Sequence, residues 1–350
     1  MKKLNRSIST KIKHKGELYT YFGGTNYLGL YHHFRFKRKM LKGVLKYGVH
    51  FGASRKSNVS LDIYAKAERK LAILTKSQAA LTVSSGYLAG QLIASQFHNK
   101  NYKCYYAPHT HPALERQKYN SYESYEDLIQ EISRYSEKKP KKTMVVFFDT
   151  IDFFGHNYPD YTWLKKLPLS QCIIVADDSH GIGITEQRAG SYHLLEKLNP
   201  KELIVCCSLG KGFGIGAGAL LSSKKRINKL KETSFFGGAS PASPGQLYAF
   251  YKSFDIYEKQ YKKLHSNIKH FLNNVRHLDR FNFHPNHPTF EFQDDQLCEL
   301  LESQHILLTK FNYPSNKDAM RYRIVITARH KKMDIEQLCE LINTHFENQK

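Results

Sequence analysis

The chain has 350 residues, of which 41% are hydrophobic and 13% aromatic. That excludes a disordered protein and predicts a large domain with a smaller satellite. Lys and Arg number 53 against 31 Asp and Glu, a net charge of +22, which favours anionic partners such as nucleic acid, anionic lipid, coenzyme A thioesters or an acidic carrier protein. The densest basic runs, Lys37-Arg38-Lys39 and Lys138 to Lys142, are short and separated. They join no helix-turn-helix, zinc-finger or RNA-binding pattern, which argues against nucleic acid.

The first residues, Met1-Lys2-Lys3-Leu4-Asn5-Arg6, are basic but lack the apolar segment of a secretory signal, so export is not expected. Ser60 to Leu74 carries Leu61, Tyr64, Ala65, Glu68, Leu71 and Ala72 at three-to-four-residue spacing and predicts a helix. Ala79 to Val83 reads as a strand, followed by the turn Ser84-Ser85-Gly86-Tyr87 and a helix from Leu88 to Gln96. Further strands are expected at Met144 to Phe148, Cys172 to Ala176, Leu203 to Cys207 and Ala217 to Leu221, with weaker helices at Glu126 to Ser136 and Tyr161 to Lys166. Short apolar runs alternating with helical stretches predict an α/β fold with a mostly parallel sheet in three layers, α/β/α.

Leu203 to Ser223 is apolar enough to imitate a membrane span, but Lys211 stands near its middle. A lysine at mid-bilayer costs about 2.5–3.5 kcal/mol, so a strand, a glycine loop and a second strand are expected, and no membrane partner. From Pro244 the texture changes: a long polar helix from Gly245 to Val275, short strands near Thr289 to Phe292 and Arg323 to Ile326, and a terminal helix from Asp334 to Phe346. These predict a C-terminal α+β domain over 244–350. The six cysteines, Cys104, Cys172, Cys206, Cys207, Cys298 and Cys339, show no C-x-x-C spacing and read as reduced cytoplasmic thiols.

Four clusters could carry chemistry, because parallel sheets place their sites at the carboxyl ends of the strands. Ser84 to Tyr87 opens a helix whose backbone N–H groups can receive an anion, although any strand-to-helix turn has this form. Asp177-Asp178-Ser179-His180-Gly181 could bind a metal, pair with a cationic ring or cap a turn. A metal would take a third ligand from His109 or His111. Ser208-Leu209-Gly210-Lys211-Gly212-Phe213-Gly214 places a lysine after an apolar strand, where desolvation lowers its pKa toward that of an attacking amine; a solvated loop lysine is the plain alternative. Arg321-Tyr322-Arg323 could clamp a substrate carboxylate bidentately.

In order along the chain, Asn26-Tyr27-Leu28-Gly29-Leu30, Gly52-Ala53-Ser54-Arg55, Ser85-Gly86-Tyr87, Asp177 to Gly183, Ser208 to Lys211, Arg321 to Ile324 and Thr327 to His330 resemble the α-oxoamine synthase family. These are enzymes of the fold-type I class that use pyridoxal 5'-phosphate (PLP) to condense an amino acid with an acyl thioester, releasing carbon dioxide. The resemblance runs from about Thr20 to His345 and implies an N-terminal arm with part of the small domain over 1–45, a PLP-binding large domain over 46–243, and a homodimer. It implies that Lys211 carries the cofactor as a Schiff base, that Asp177 faces the ring nitrogen, that His180 holds the ring hydroxyl oxygen and that His111 stacks on the ring. It also implies a phosphate site from Ser85, Gly86, Tyr87 and Ser208, with Ser240 reaching across from a second subunit. Arg323 then binds the amino acid's carboxylate, with Asn26 beside the substrate. Within the family, Gly210 to Gly218 is most similar to the branch that joins L-alanine to a pimeloyl thioester, carried by coenzyme A or a carrier protein. Three features depart from the family pattern: Phe148 to Gly155 stand where a Glu and a Ser-Met-x-Gly element are usual, Gly90 replaces an Asn, and Ala107 replaces an Asp.

Overall fold

The computed structural model describes residues 3–5, 7–115, 122–138, 141–152, 157–284, 286–312 and 320–349. Part of the second basic run (139–140) and the end of the segment 148–155 lie outside the described residues. In chain order the strands are β1 (Lys11–His14), β2 (Glu17–Phe22), β3 (Ala79–Val83), β4 (Tyr102–Tyr106), β5 (Thr143–Asp149), β6 (Cys172–Asp177), β7 (Glu202–Ser208), β8 (Gly218–Ser222), β9 (Asn282–Phe283), β10 (Thr289–Phe292), β11 (Ile306–Asn312) and β12 (Met320–Val325).

The described residues divide into two compact units, one drawn from 35–152 and 157–254, the other from 3–34 and 255–349. The larger holds a sheet of order β3-β8-β7-β6-β5-β4. Strands β4 to β7 run parallel, and β8 is antiparallel to both of its neighbours. The central strands are apolar throughout: β6 is buried at every position and β5 from Met144 to Phe148, as a sheet covered on both faces requires. One layer of this core joins Leu81, Val145, Val175, Ile204 and Leu220 to Leu92 and Ile93 of the helix Gly86–Ala94. The smaller unit holds a sheet of order β1-β2-β11-β12-β10-β9, antiparallel except for β2 with β11.

The five strands expected before residue 244 are present with ends shifted by at most one residue; of the two expected after it, Thr289–Phe292 is as expected and the other runs from Met320 to Val325 instead of Arg323 to Ile326. Strand β4, Tyr-Lys-Cys-Tyr-Tyr, escapes an apolar-run search because its inward positions are aromatic. Tyr161 to Lys166 forms only a 3-10 turn at Leu164–Lys166, since Tyr161 is left-handed at φ +47° and cannot start a helix. The expected helix Gly245 to Val275 is two, Pro244–Lys252 and Phe254–Asn274, broken where Ser253 leaves helical geometry. The helix Phe34–Tyr47 touches Pro244–Lys252 so closely that a Cβ on Gly43 would lie 2.2 Å from the Gly245 carbonyl. From Arg35 on, both helices belong to the larger unit. No helix among the described residues is long and apolar enough to cross a membrane.

Candidate active site

At the carboxyl ends of the parallel strands, His111, Asp149, Asp177, Ser179, His180, Ser208 and Lys211 line one cavity of about 170 Å³ with Gly86 and Tyr87. The order of the strands explains the convergence. Asp149 and Asp177 are the last residues of neighbouring β5 and β6 and stand in register, Ser208 ends β7, and His111 follows β4. A larger cavity, about 590 Å³, opens at the other end of the same sheet around Glu202, Ser223 and Arg226 and holds none of these groups.

Lys211 lies in the short helix Leu209–Gly212, capped by Ser208, whose hydroxyl accepts from the Gly210 N–H at 3.3 Å. Its Nζ is 2.7 Å from Nε2 of His180. An ammonium has only donors to offer, so in its charged form Lys211 donates this bond. Close packing fixes the two turns: a Cβ on Gly212 would lie 2.1 Å from the Ile182 carbonyl, and Gly183, at φ +82°, touches Gly212 in return. The Ser208 N–H donates to Ser179 Oγ at 2.9 Å, joining the ends of β6 and β7.

The two adjacent acids part company. Asp177 faces the cavity and accepts the Ser179 N–H at 2.8 Å. Asp178 is fully buried and accepts from Thr150 Oγ1 at 2.6 Å and from the Ser191 hydroxyl and N–H at 3.0 and 2.9 Å. Burial pushes the Asp178 carboxyl up to about 6 in spite of these donors. It is therefore a structural tie within the turn.

His111 accepts the Ala113 N–H on Nδ1 at 3.1 Å, so its neutral form carries the proton on Nε2. Burial lowers its pKa, and the Lys211 charge adds to the effect against Asp177. The turn that carries it packs on the Gly86–Ala94 helix, where a Cβ on Gly90 would lie 2.6 Å from the Ala113 carbonyl. A glycine at 90 is thus a packing requirement in this chain. Ala107 is buried, and its N–H donates to the Phe147 carbonyl.

The Gly86–Ala94 helix is capped by exposed Ser85, whose hydroxyl accepts the Leu88 N–H at 3.1 Å. Its first turn presses on β7: a Cβ on Gly86 would meet the Cβ of Ser208 at 2.6 Å. Backbone N–H groups at a helix start beside a serine hydroxyl form an anion cradle. Ser85 itself and Ser240, which is exposed, are not among the residues lining the cavity.

The remaining expected residues lie in the smaller unit. Arg323 and Arg321 share one buried carboxylate, Glu291, at 3.1 and 2.8 Å. Asn26 accepts the Leu30 N–H on its side chain at 3.0 Å, closing the turn to Leu30. In the larger unit, Arg55 pairs with Glu68 at 3.0 Å with both side chains buried, and Glu68 accepts from the Thr82 N–H and hydroxyl of β3. The sequence reading missed Asp149, whose signal was its place one residue beyond an apolar strand. Among the described residues, no three His, Cys, Asp or Glu side chains gather as a metal-holding set.

The donor set fits PLP. One amine, an acid in register at the next strand end, two imidazoles and an anion cradle answer the carbonyl, ring nitrogen, ring face, hydroxyl and phosphate of that cofactor. A family profile described as aminotransferase class I and II matches residues 22–342. The 8-amino-7-oxononanoate synthase of Buchnera aphidicola is 26% identical over 95% of this chain and 90% of its own length. Among solved structures, a serine palmitoyltransferase from S. paucimobilis with bound PLP-myriocin aligns over 99% of this chain and 92% of its own, at 14% identity and a TM-score of 0.82. An 8-amino-7-oxononanoate synthase from Francisella tularensis aligns over 95% and 98%, at 18% identity and a TM-score of 0.71.

Proposed function

Because the chain belongs to the aminotransferase class I and II family and uses PLP, we propose that it is a decarboxylating acyltransferase joining a small amino acid, L-alanine, to a pimeloyl thioester. That is the reaction of an 8-amino-7-oxononanoate synthase. The observation that carries this reading is the Lys211 amine beside His180 in a cavity shared with Asp177 and His111. PLP, when bound, supplies an electron sink that lets the amino acid lose its carboxylate and its Cα attack the thioester.

The chain's own residues do the rest. Lys211 Nζ holds the cofactor's carbonyl carbon and carries the substrate's Cα proton. His180, in contact with that amine, fixes its position and holds the ring hydroxyl oxygen. Asp177 would face the ring nitrogen and hold a proton there, while His111 would cover the ring face. Gly86, Tyr87 and Ser208 hold the phosphate with backbone N–H groups and hydroxyls. Arg323, which shares Glu291 with Arg321, would bind the substrate carboxylate through its guanidinium fork, with Asn26 also binding substrate. The enzyme is a cytoplasmic homodimer in which Ser240 reaches the neighbouring subunit's phosphate site, in keeping with six free cysteines.

The test supplies L-alanine with pimeloyl-coenzyme A and follows carbon dioxide and free thiol. Release of both in equal amounts supports the reading. Pyruvate without thiol supports the second reading, an aminotransferase of the same family.

A further inference from the structure

We propose that Asp149 is a positioning residue: its carboxyl anchors the backbone of His111 and thereby fixes the imidazole against the cavity shared with Asp177 and Lys211. The inference rests on the reading of that cavity as the PLP site. Beyond Tyr106 the chain leaves the sheet; the Ala107 N–H makes a backbone bond to the Phe147 carbonyl of β5, and His109 turns left-handed at φ +59°. The ladder therefore no longer dictates where residue 111 stands. The bond from the His111 N–H to Asp149 Oδ1, 3.1 Å, returns the chain to the end of β5.

The ring is then tied at a second point, through Nδ1 to the Ala113 N–H. Gln91 holds the following turn by donating to the Ala113 and Glu115 carbonyls at 3.0 and 2.9 Å. The Thr110 hydroxyl, donating to the Phe147 carbonyl at 3.2 Å, ties the turn to β5 two residues earlier, and the Asp149 bond ties His111 itself to the strand end where Asp177 lies in register. Burial and the Asp177 charge push the Asp149 carboxyl well above the ordinary carboxylate range, against the His111 N–H and Lys211. Asparagine reproduces its acceptor oxygen and its size; leucine keeps the volume and removes the acceptor.

The experiment titrates full-length native protein, Asp149→Asn and Asp149→Leu with PLP, and records the His111 imidazole resonance of each without PLP. Asp149→Asn should bind PLP within about 3-fold of native and keep the His111 resonance. Asp149→Leu should bind about 10–100-fold more weakly, the range seen for partners that orient a ligand-holding histidine, and move that resonance. In a His111→Ala background Asp149→Leu should have no further effect, because the two act through one contact. The proposal is overturned if Asp149→Leu behaves as native, if Asp149→Asn is as weak as Asp149→Leu, or if the losses add. Should Asp149→Leu not fold, Asp149→Ser, whose hydroxyl is too short to reach, makes the same comparison. If native protein does not bind PLP, the reading of the cavity falls, and the His111 resonance alone decides the role of Asp149.

Discussion

Asp177 and Asp178 are adjacent and chemically identical, yet one faces the cavity and the other is locked inside the turn. Asp177→Asn should weaken PLP binding by at least about 30-fold with little change in unfolding midpoint, since losing one partner of a close charge pair costs about 2–5 kcal/mol. Asp178→Ala strands three donors in a region with no water access and should lower stability by about 3 kcal/mol or more, read by urea unfolding. The doublet was legible in the sequence as a site, because acids after an apolar strand stand out. Its division was not, because it depends on Thr150 and Ser191, which are remote in sequence. Asp149 was only half legible: its place just beyond an apolar run is a local signal, but its register with β6 and its bond to a backbone N–H leave none.

At the scale of elements, buried polar ties join what the hydrophobic pattern only brings close. Arg55 and Glu68 bind the segment before the helix Asp62–Thr75 to β3, and Arg55→Ala should cost about 3–5 kcal/mol by leaving a buried carboxylate unpaired. Gly86→Ala inserts a methyl 2.6 Å from Ser208 Cβ. It should weaken PLP binding more than stability, which a PLP titration and a melting curve distinguish. His330, 1% exposed, stacks on Phe22 and accepts the Thr327 N–H at 2.9 Å, and its Nε2 donates to the Tyr21 carbonyl at 3.0 Å. Burial lowers it to about 4. The unfolded chain takes up this proton first as pH falls from about 6.5 to about 4, so the stability it contributes is whole above that window and lost through it, up to about 3 kcal/mol. Asp178, raised to about 6, acts oppositely: folded protein takes up its proton first, so stability rises as pH falls from about 6 to about 4. His330→Phe should therefore be less destabilised than native on going from pH 7 to pH 5 in urea unfolding; an equal loss would contradict the assignment. The sequence predicted the strands well because their apolar runs are unbroken. It missed the breaks at Tyr161 and Ser253, which are backbone events without a breaking residue type.

The whole molecule carries a surplus of 22 positive charges, suited to drawing in an acidic thioester donor. The kcat/KM for pimeloyl-coenzyme A should accordingly fall as salt rises, with that for alanine little changed, because screening acts on the highly charged partner. The order of motifs along the chain made the larger unit's fold readable, since Ser85 to Tyr87, Asp177 to Gly183 and Ser208 to Lys211 each mark the carboxyl end of a strand. What the sequence left open is how the smaller unit uses Arg323, because Glu291, its partner, lies on another strand. The central claim is that one amine, Lys211 Nζ, holds the cofactor. Borohydride reduction of the PLP-loaded protein, followed by digestion and mass spectrometry, tests it most directly. The account predicts a single pyridoxyl-modified peptide, labelled at Lys211 and absent from Lys211→Ala; a label at another lysine, or none, would contradict it.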